Sequence, residues 1–214
     1  QQPGGRDVIG AAGRATFGNL YNYRTAGTSV GTSLTIHGNL TIKGGSNSVT
    51  FRGATPTSGN TVHHLYGNAY VISGQWSACD GSASGLTGIW NIDGNVTVGD
   101  PSAVGAARFG PVTSAGGNLG RRGVFNIAGN LTIQNGTRFQ GGSTSPSNDT
   151  TEIGIINIGG NLTVDPSVTT ATNSNGIFAI NFVGSGTQTV SLGTALRFST
   201  STAANKFALY DTIG

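Results

Sequence analysis

The nonamer Leu34-Thr35-Ile36-His37-Gly38-Asn39-Leu40-Thr41-Ile42 returns as Trp90-Asn91-Ile92-Asp93-Gly94-Asn95-Val96-Thr97-Val98. It returns again as Phe125-Asn126-Ile127-Ala128-Gly129-Asn130-Leu131-Thr132-Ile133 and as Ile156-Asn157-Ile158-Gly159-Gly160-Asn161-Leu162-Thr163-Val164. Looser relatives are Leu65-Tyr66-Gly67-Asn68-Ala69-Tyr70-Val71, Gly18-Asn19-Leu20 and Ile180-Asn181-Phe182-Val183-Gly184. The glycines at 18, 38, 67, 94, 129 and 160 stand 20, 29, 27, 35 and 31 residues apart. A constant unit at variable spacing means loops of differing length on a repeated frame.

Within each copy apolar and polar residues alternate, as in Leu34, Ile36, Leu40 and Ile42 against Thr35, His37, Asn39 and Thr41. This is the pattern of a half-buried strand. Gly-Asn is also a two-residue hairpin turn. Closing a hairpin there would set Ile36 opposite Thr41, and Ile92, Ile127 and Ile158 opposite Thr97, Thr132 and Thr163. Opposed residues share a face of the ladder, so every apolar side chain would meet a polar one. The unit is therefore one strand, or two strands meeting at a bend.

Such units bury a common face if the chain coils and each copy stacks on the last. The expected fold is all-β, a parallel β-helix of about six to eight coils, roughly 30–40 Å long, with irregular loop insertions. Leu40, Val96, Leu131 and Leu162 then form one interior column, and Ile36, Ile92, Ile127 and Ile158 another. Asn39, Asn68, Asn95, Asn130 and Asn161 are expected to form a ladder in which each amide donates to the next. Residues 1–33 are read as a Gly-rich first coil or assembly arm, 34–198 as the β-helix, and 199–214 as a last coil or assembly segment. Residues 73–88, 99–123 and 141–152 read as loops. Asp100-Pro101 and Asp165-Pro166 each follow a repeat and mark one corner.

Composition removes other classes. Of 214 residues 37 are glycine and only 9 % are charged, against a usual ~25 %, which disfavours helix-rich and charged disordered chains. The length favours one domain. Eleven Lys and Arg lie scattered, with Arg121-Arg122 the densest pair, too sparse for a nucleic-acid surface. No apolar run is long enough for a membrane span. One cysteine, Cys79, rules out an internal disulfide. With no methionine, the chain is expected to start after a removed leader or to be trimmed, and its composition points to a secreted product at the cell surface or outside the cell.

At these repeats the sequence resembles the β-helix repeats of secreted bacterial proteins: autotransporter passenger domains, filamentous-haemagglutinin-type adhesins, and Gly-Asn-Leu-Thr repeat regions of exported Bacteroidetes surface proteins. Residues 180–190 are similar to a segment common in the last group. The resemblance covers about residues 34–198 and implies a right-handed coil. It implies little about activity, since such repeats serve adhesion, scaffolding and polysaccharide processing alike. Neither a membrane-barrel segment nor a sorting domain accompanies it.

Candidate chemistry is sparse. Glycoside hydrolysis needs two carboxyl groups flanking one bond. Asp93 occupies an outward position that is His37, Ala128 or Gly159 in other copies, and Asp149 and Glu152 share a polar loop. Each reads more simply as a solvated acid. His63 and His64 would point to opposite faces of a strand, a poor metal pair. Cys79 has no local activating partner. No phosphate loop and no calcium nonapeptide occurs. No catalytic residue, metal or cofactor is therefore assigned. Asn-X-Ser/Thr at Asn39, Asn95, Asn130 and Asn161 is the repeat itself, and at Asn135 and Asn148 a possible glycan acceptor. Tyr66, Tyr70 and Trp76 are candidates for stacking against sugar.

The expected function is an extracellular structural one: a filament or surface-fibre subunit, or an adhesin-type stalk, whose partners are copies of itself. Phe17, Leu20 and Tyr21 at one end and Phe207, Leu209 and Tyr210 at the other are the candidate assembly residues. A carbohydrate-active enzyme or a module that binds cell-surface polysaccharide is the runner-up. An ice- or surface-binding module, suggested by outward threonines, is third.

Overall fold

The computed structural model describes residues 8–9, 15–23, 28–30, 32–44, 50–54, 59–80, 84–102, 107–112, 120–134, 137–140, 151–171, 177–192 and 207–211. Among them the chain is all-β, with parallel strands in an 8-stranded and a 13-stranded sheet. The arrangement is solenoid-like. No helix among the described residues is long and apolar enough to cross a membrane.

The pairings resolve into three ladders. The first is the smaller sheet, to which Thr87–Ile92, Arg122–Ile127 and Ile153–Ile158 belong. The second contains Val96–Val98, Leu131–Ile133 and Leu162–Val164. The third contains Ala107–Val112, Arg138–Gln140 and Thr169–Ala171. The chain thus visits first, second and third ladder in a repeating order. The strand Ala69–Cys79 joins the last two, because its first part pairs with Val96–Val98 and its second with Ala107–Val112. Near the N-terminus Ala15–Phe17 and Leu20–Asn22 already pair in parallel with Leu34–Ile36 and Leu40–Lys43.

The nonamer is two strands meeting at a bend. Leu34–Ile36 lies in the first ladder and Leu40–Lys43 in the second, with His37–Asn39 between them. Register carries like onto like: Ile92 on Ile127 on Ile158, and Val96 on Leu131 on Leu162. These side chains are buried in one core with Ile36 and Leu40.

The bend explains the Gly-Asn pair. Each Asn side-chain carbonyl accepts the backbone N–H of the Asn one rung on: Asn39 from Asn68, Asn68 from Asn95, and Asn95 from Asn130, each at 2.8 Å, then Asn130 from Asn161 at 2.7 Å. The donors in this ladder are mainly backbone N–H groups, and at one rung the side-chain amide donates as well, from Asn95 Nδ2 to Asn68 Oδ1 at 3.4 Å. That carbonyl sits where the next glycine would carry a side chain. A Cβ on Gly129 would stand 2.5 Å from Asn95 Oδ1, and one on Gly160 2.5 Å from Asn130 Oδ1. Gly18, in the earliest copy, would meet no described atom within 4 Å. Gly129→Ala is therefore expected to cost about 1–3 kcal/mol in urea unfolding, while Gly18→Ala stays within ~0.5 kcal/mol.

At the last copy the motif is gone and Gln188 replaces it. Its Oε1 accepts the Gly184 N–H at 3.0 Å, and its Nε2 donates to the carbonyls of Ile158, at 2.9 Å, and Gly160. Earlier in the stack the Gly129 carbonyl takes the Gly160 N–H, so Gln188 supplies the donor that a further copy would have brought to Gly160.

The interior is aromatic. Phe51, Trp76, Phe109 and Phe139 stack in register along the third ladder and lean on Trp90 and Phe125 of the first. Two loop assignments fall here. Residues 73–79 and 107–112 are strands, and their Trp76 and Phe109 are core. The third ladder carries no nonamer, and insertions of unequal length separate its strands, so periodicity cannot reveal it. Most of 141–152 lies outside the described residues.

Candidate functional site

The outer side of the bend carries a shallow groove of ≈ 430 Å³, lined by Asn91, Asp93, Asn126, Ala128, Asn157 and Val183 among others. Its floor is a second asparagine ladder. Asn126 Nδ2 donates to Asn91 Oδ1 at 2.8 Å, Asn157 to Asn126 at 2.7 Å, and Asn181 to Asn157 at 2.7 Å. These are true amide-to-amide bonds, on half-buried side chains where exchange with water is reduced. This ladder stands four residues before the corner asparagines, and the sequence reading does not name it. The signal was present, since Asn91, Asn126 and Asn157 repeat with the nonamer.

Rings and a carboxylate border the groove. Asp93 meets no other acid there but His64, whose Nε2 lies 3.0 Å from Asp93 Oδ1. His64 stacks on Tyr66 at 4.0 Å between ring centroids, and His37 on Tyr66 at 5.0 Å. Tyr66 is 46 % exposed, yet both imidazoles compete with any ligand for its ring. Tyr70 is 40 % exposed and makes no such ring contact among the described residues. Trp76 is wholly buried, edge-on to Trp90 at 5.2 Å, so it cannot stack on a sugar.

His63 points inward. It is fully buried against Trp90 at 4.3 Å, its Nδ1 accepts the Leu34 N–H at 3.2 Å, and Nε2 lies 2.9 Å from Thr61 Oγ1. Those partners place the ring proton on Nε2. Burial pushes its pKa down to about 3, so the ring is neutral and serves packing. Among the described residues no three His, Cys, Asp or Glu groups gather as a metal site.

Cys79 is buried in a second small cluster with Ala54, Leu86 and Val112, and burial pushes its thiol up to about 12. Under native conditions at pH 8 iodoacetamide is expected to leave it essentially unmodified, and urea to expose it to complete alkylation, read by mass spectrometry.

Above that cluster Arg121 forms an ion pair with Glu152, both fully buried. Glu152 is thus not a solvated loop acid, and Arg121 is not part of a surface cluster. Asp149 lies outside the described residues. Asp100 and Asp165 each follow a second-ladder strand and close a turn: Oδ1 accepts the N–H of Ser102 at 2.7 Å or of Ser167 at 2.8 Å. These bonds, with those from the serine hydroxyls, hold both carboxyls below their ordinary pKa. Gly99, at φ +97°, sets the first turn one residue later than the second.

Of the candidate assembly residues, Phe17 and Leu20 pack partly buried against the core, and Tyr21 is 57 % exposed and stacks on Tyr23 at 5.8 Å. Phe207, Leu209 and Tyr210 lie in a strand that pairs with Ile177–Phe182, and their side chains lie outside the described residues.

Comparison with models of protein families, with curated proteins and with solved structures finds no match.

Proposed function

We propose that this chain is an extracellular structural subunit, a right-handed parallel β-helix of about six to eight coils that joins copies of itself into a filament or surface fibre, or serves as an adhesin-type stalk. The observation that supports this best is the run of exclusively parallel pairings, among the described residues, along three ladders over one buried aromatic core. Such a body is stiff, and its strands pair by backbone groups that any identical strand can match. Val190–Leu192, paired with Leu162–Val164, ends its sheet among the described residues, with exposed side chains, in a stretch without charged residues from Asn181 to Leu196. Lysine, proline and bulges are the usual protection of such an edge. A second copy adding there is a heterologous contact that does not close on itself.

Negative-stain microscopy and sedimentation at micromolar concentration test this. Filaments or concentration-dependent oligomers are expected for the chain, and fewer for Val190→Lys. Dispersed monomers at every salt concentration would defeat the reading. A second reading, a polysaccharide-binding module, draws on the open ring of Tyr70 and the amide-floored groove; retention on a neutral glucan column, lost in Tyr70→Ala, would favour it.

A further inference from the structure

Five arginines fall among the residues whose side chains are described, and they divide sharply. Arg52 faces Asp80, with Nε 2.7 Å from Oδ2, and Arg121 faces Glu152. Arg122 is exposed at the start of its strand. The remaining two, Arg108 and Arg138, are neighbours in register on adjacent strands of the third ladder.

Both side chains point outward, since Phe109 and Phe139, next to them, point into the core. In-register residues on one face lie about 5 Å apart, so two positive charges are set side by side, an arrangement that is unfavourable by itself. Both are half-buried, and Arg108 Nε is shielded from water with no hydrogen-bond partner among the described residues. No described carboxylate is left for them. Asp80 and Glu152 serve the other arginines, Asp93 meets His64, and Asp100 and Asp165 are engaged by Ser102 and Ser167. Burial and the neighbouring Arg138 charge both work against the Arg108 cation. Along the same column the next side chain is Gln75, itself buried, which offers an amide and no charge.

We propose that Arg108 and Arg138 form an anion-binding site on the outer face of the third ladder, and that its ligand is an acidic polysaccharide bearing uronate carboxylates. A carboxylate accepts two parallel N–H bonds from a guanidinium, and one set between the two arginines relieves their repulsion through the guanidinium N–H groups that solvent reaches. Successive carboxylates along a polymer can engage two cations set one rung apart, flanked in their column by the uncharged Gln75 and Thr169. A single free carboxylate gains the same bonds without that multivalency. The site lies away from the groove and from the Val190–Leu192 edge, and it does not depend on self-association.

Affinity electrophoresis through gels containing polygalacturonate tests this on the whole chain. The chain is expected to be retarded by polygalacturonate and not by dextran. Arg108→Gln/Arg138→Gln is expected to weaken retention at least about tenfold, and Arg122→Gln to leave it within about twofold. Thermal melting of the same proteins checks folding: polygalacturonate raises the Tm of the parent chain and not of the double variant. Monomeric galacturonate at equal carboxylate concentration is expected not to displace the polymer. Equal retention of parent and double variant, no retention of the parent, equal retention by single-stranded DNA, or full displacement by the monomer overturns the assignment. Binding by dispersed monomers leaves it standing while removing the filament.

Discussion

Arg121→Met is expected to lower the unfolding free energy by about 3–5 kcal/mol, because it strands a fully buried Glu152 carboxylate without its partner. Glu152→Leu should cost a similar amount for the mirror reason. The double variant Arg121→Met/Glu152→Leu should recover most of the loss, since the costly element is an uncompensated charge and not the absence of the pair. The position supports this. Leu86, Arg121 and Glu152 occupy successive levels of one corner, linked by the Arg122 N–H to the Leu86 carbonyl and the Ile153 N–H to the Arg121 carbonyl, each at 2.8 Å. Leucine is therefore already accommodated there, beside Cys79 and Val112. Urea unfolding at pH 7 reads all three proteins. A single-variant loss below about 1 kcal/mol would show that water reaches the pair.

The second large effect is on pH. His63 has a folded pKa of about 3 against an ordinary 6.5, so between these values the unfolded chain binds the extra proton. Stability then rises with pH, is fully present above 6.5, and falls as acid is added by up to about 1.4 kcal/mol per pH unit. His63→Phe retains a ring against Trp90 and removes the titration. At neutral pH it should cost about 1–3 kcal/mol, because the buried Leu34 N–H loses its acceptor. Between pH 6.5 and 5 its stability should fall less steeply than that of the parent. Parallel slopes in the two proteins would mean that His63 takes up its proton while the chain is folded.

The stacking of like residues was legible because the repeat names its own neighbours. Residues at equal positions in successive copies became in-register partners, and the interior columns follow from that alone. The same arithmetic applies where it was not used. Arg121 and Glu152 are 31 residues apart, the interval that also separates Asn130 from Asn161, so the buried pair stands one rung apart for the same reason as the corner. Read singly, Glu152 reads as a loop acid because the polar run Asn148-Asp149-Thr150-Thr151 leads into it.

The third ladder shows where this legibility stops. Nothing in the sequence marks Trp76 or Phe109 as core, because neither sits in a nonamer. Arg108 and Arg138 are 30 residues apart while the corners around them step by 35 and 31, so no single offset aligns them.

By itself the sequence determined the parallel stacking and the apolar columns, because a side chain that recurs at a fixed place in a strand unit must meet its own kind when the units stack; that each unit is two strands meeting at a bend was decided by the structure. Only the tertiary structure decided which aromatics fill the centre, which charges are sealed inside and which are left facing each other outside. Those depend on how insertions of unequal length return the chain to the third ladder, and that return is set by packing and not by any period in the residues.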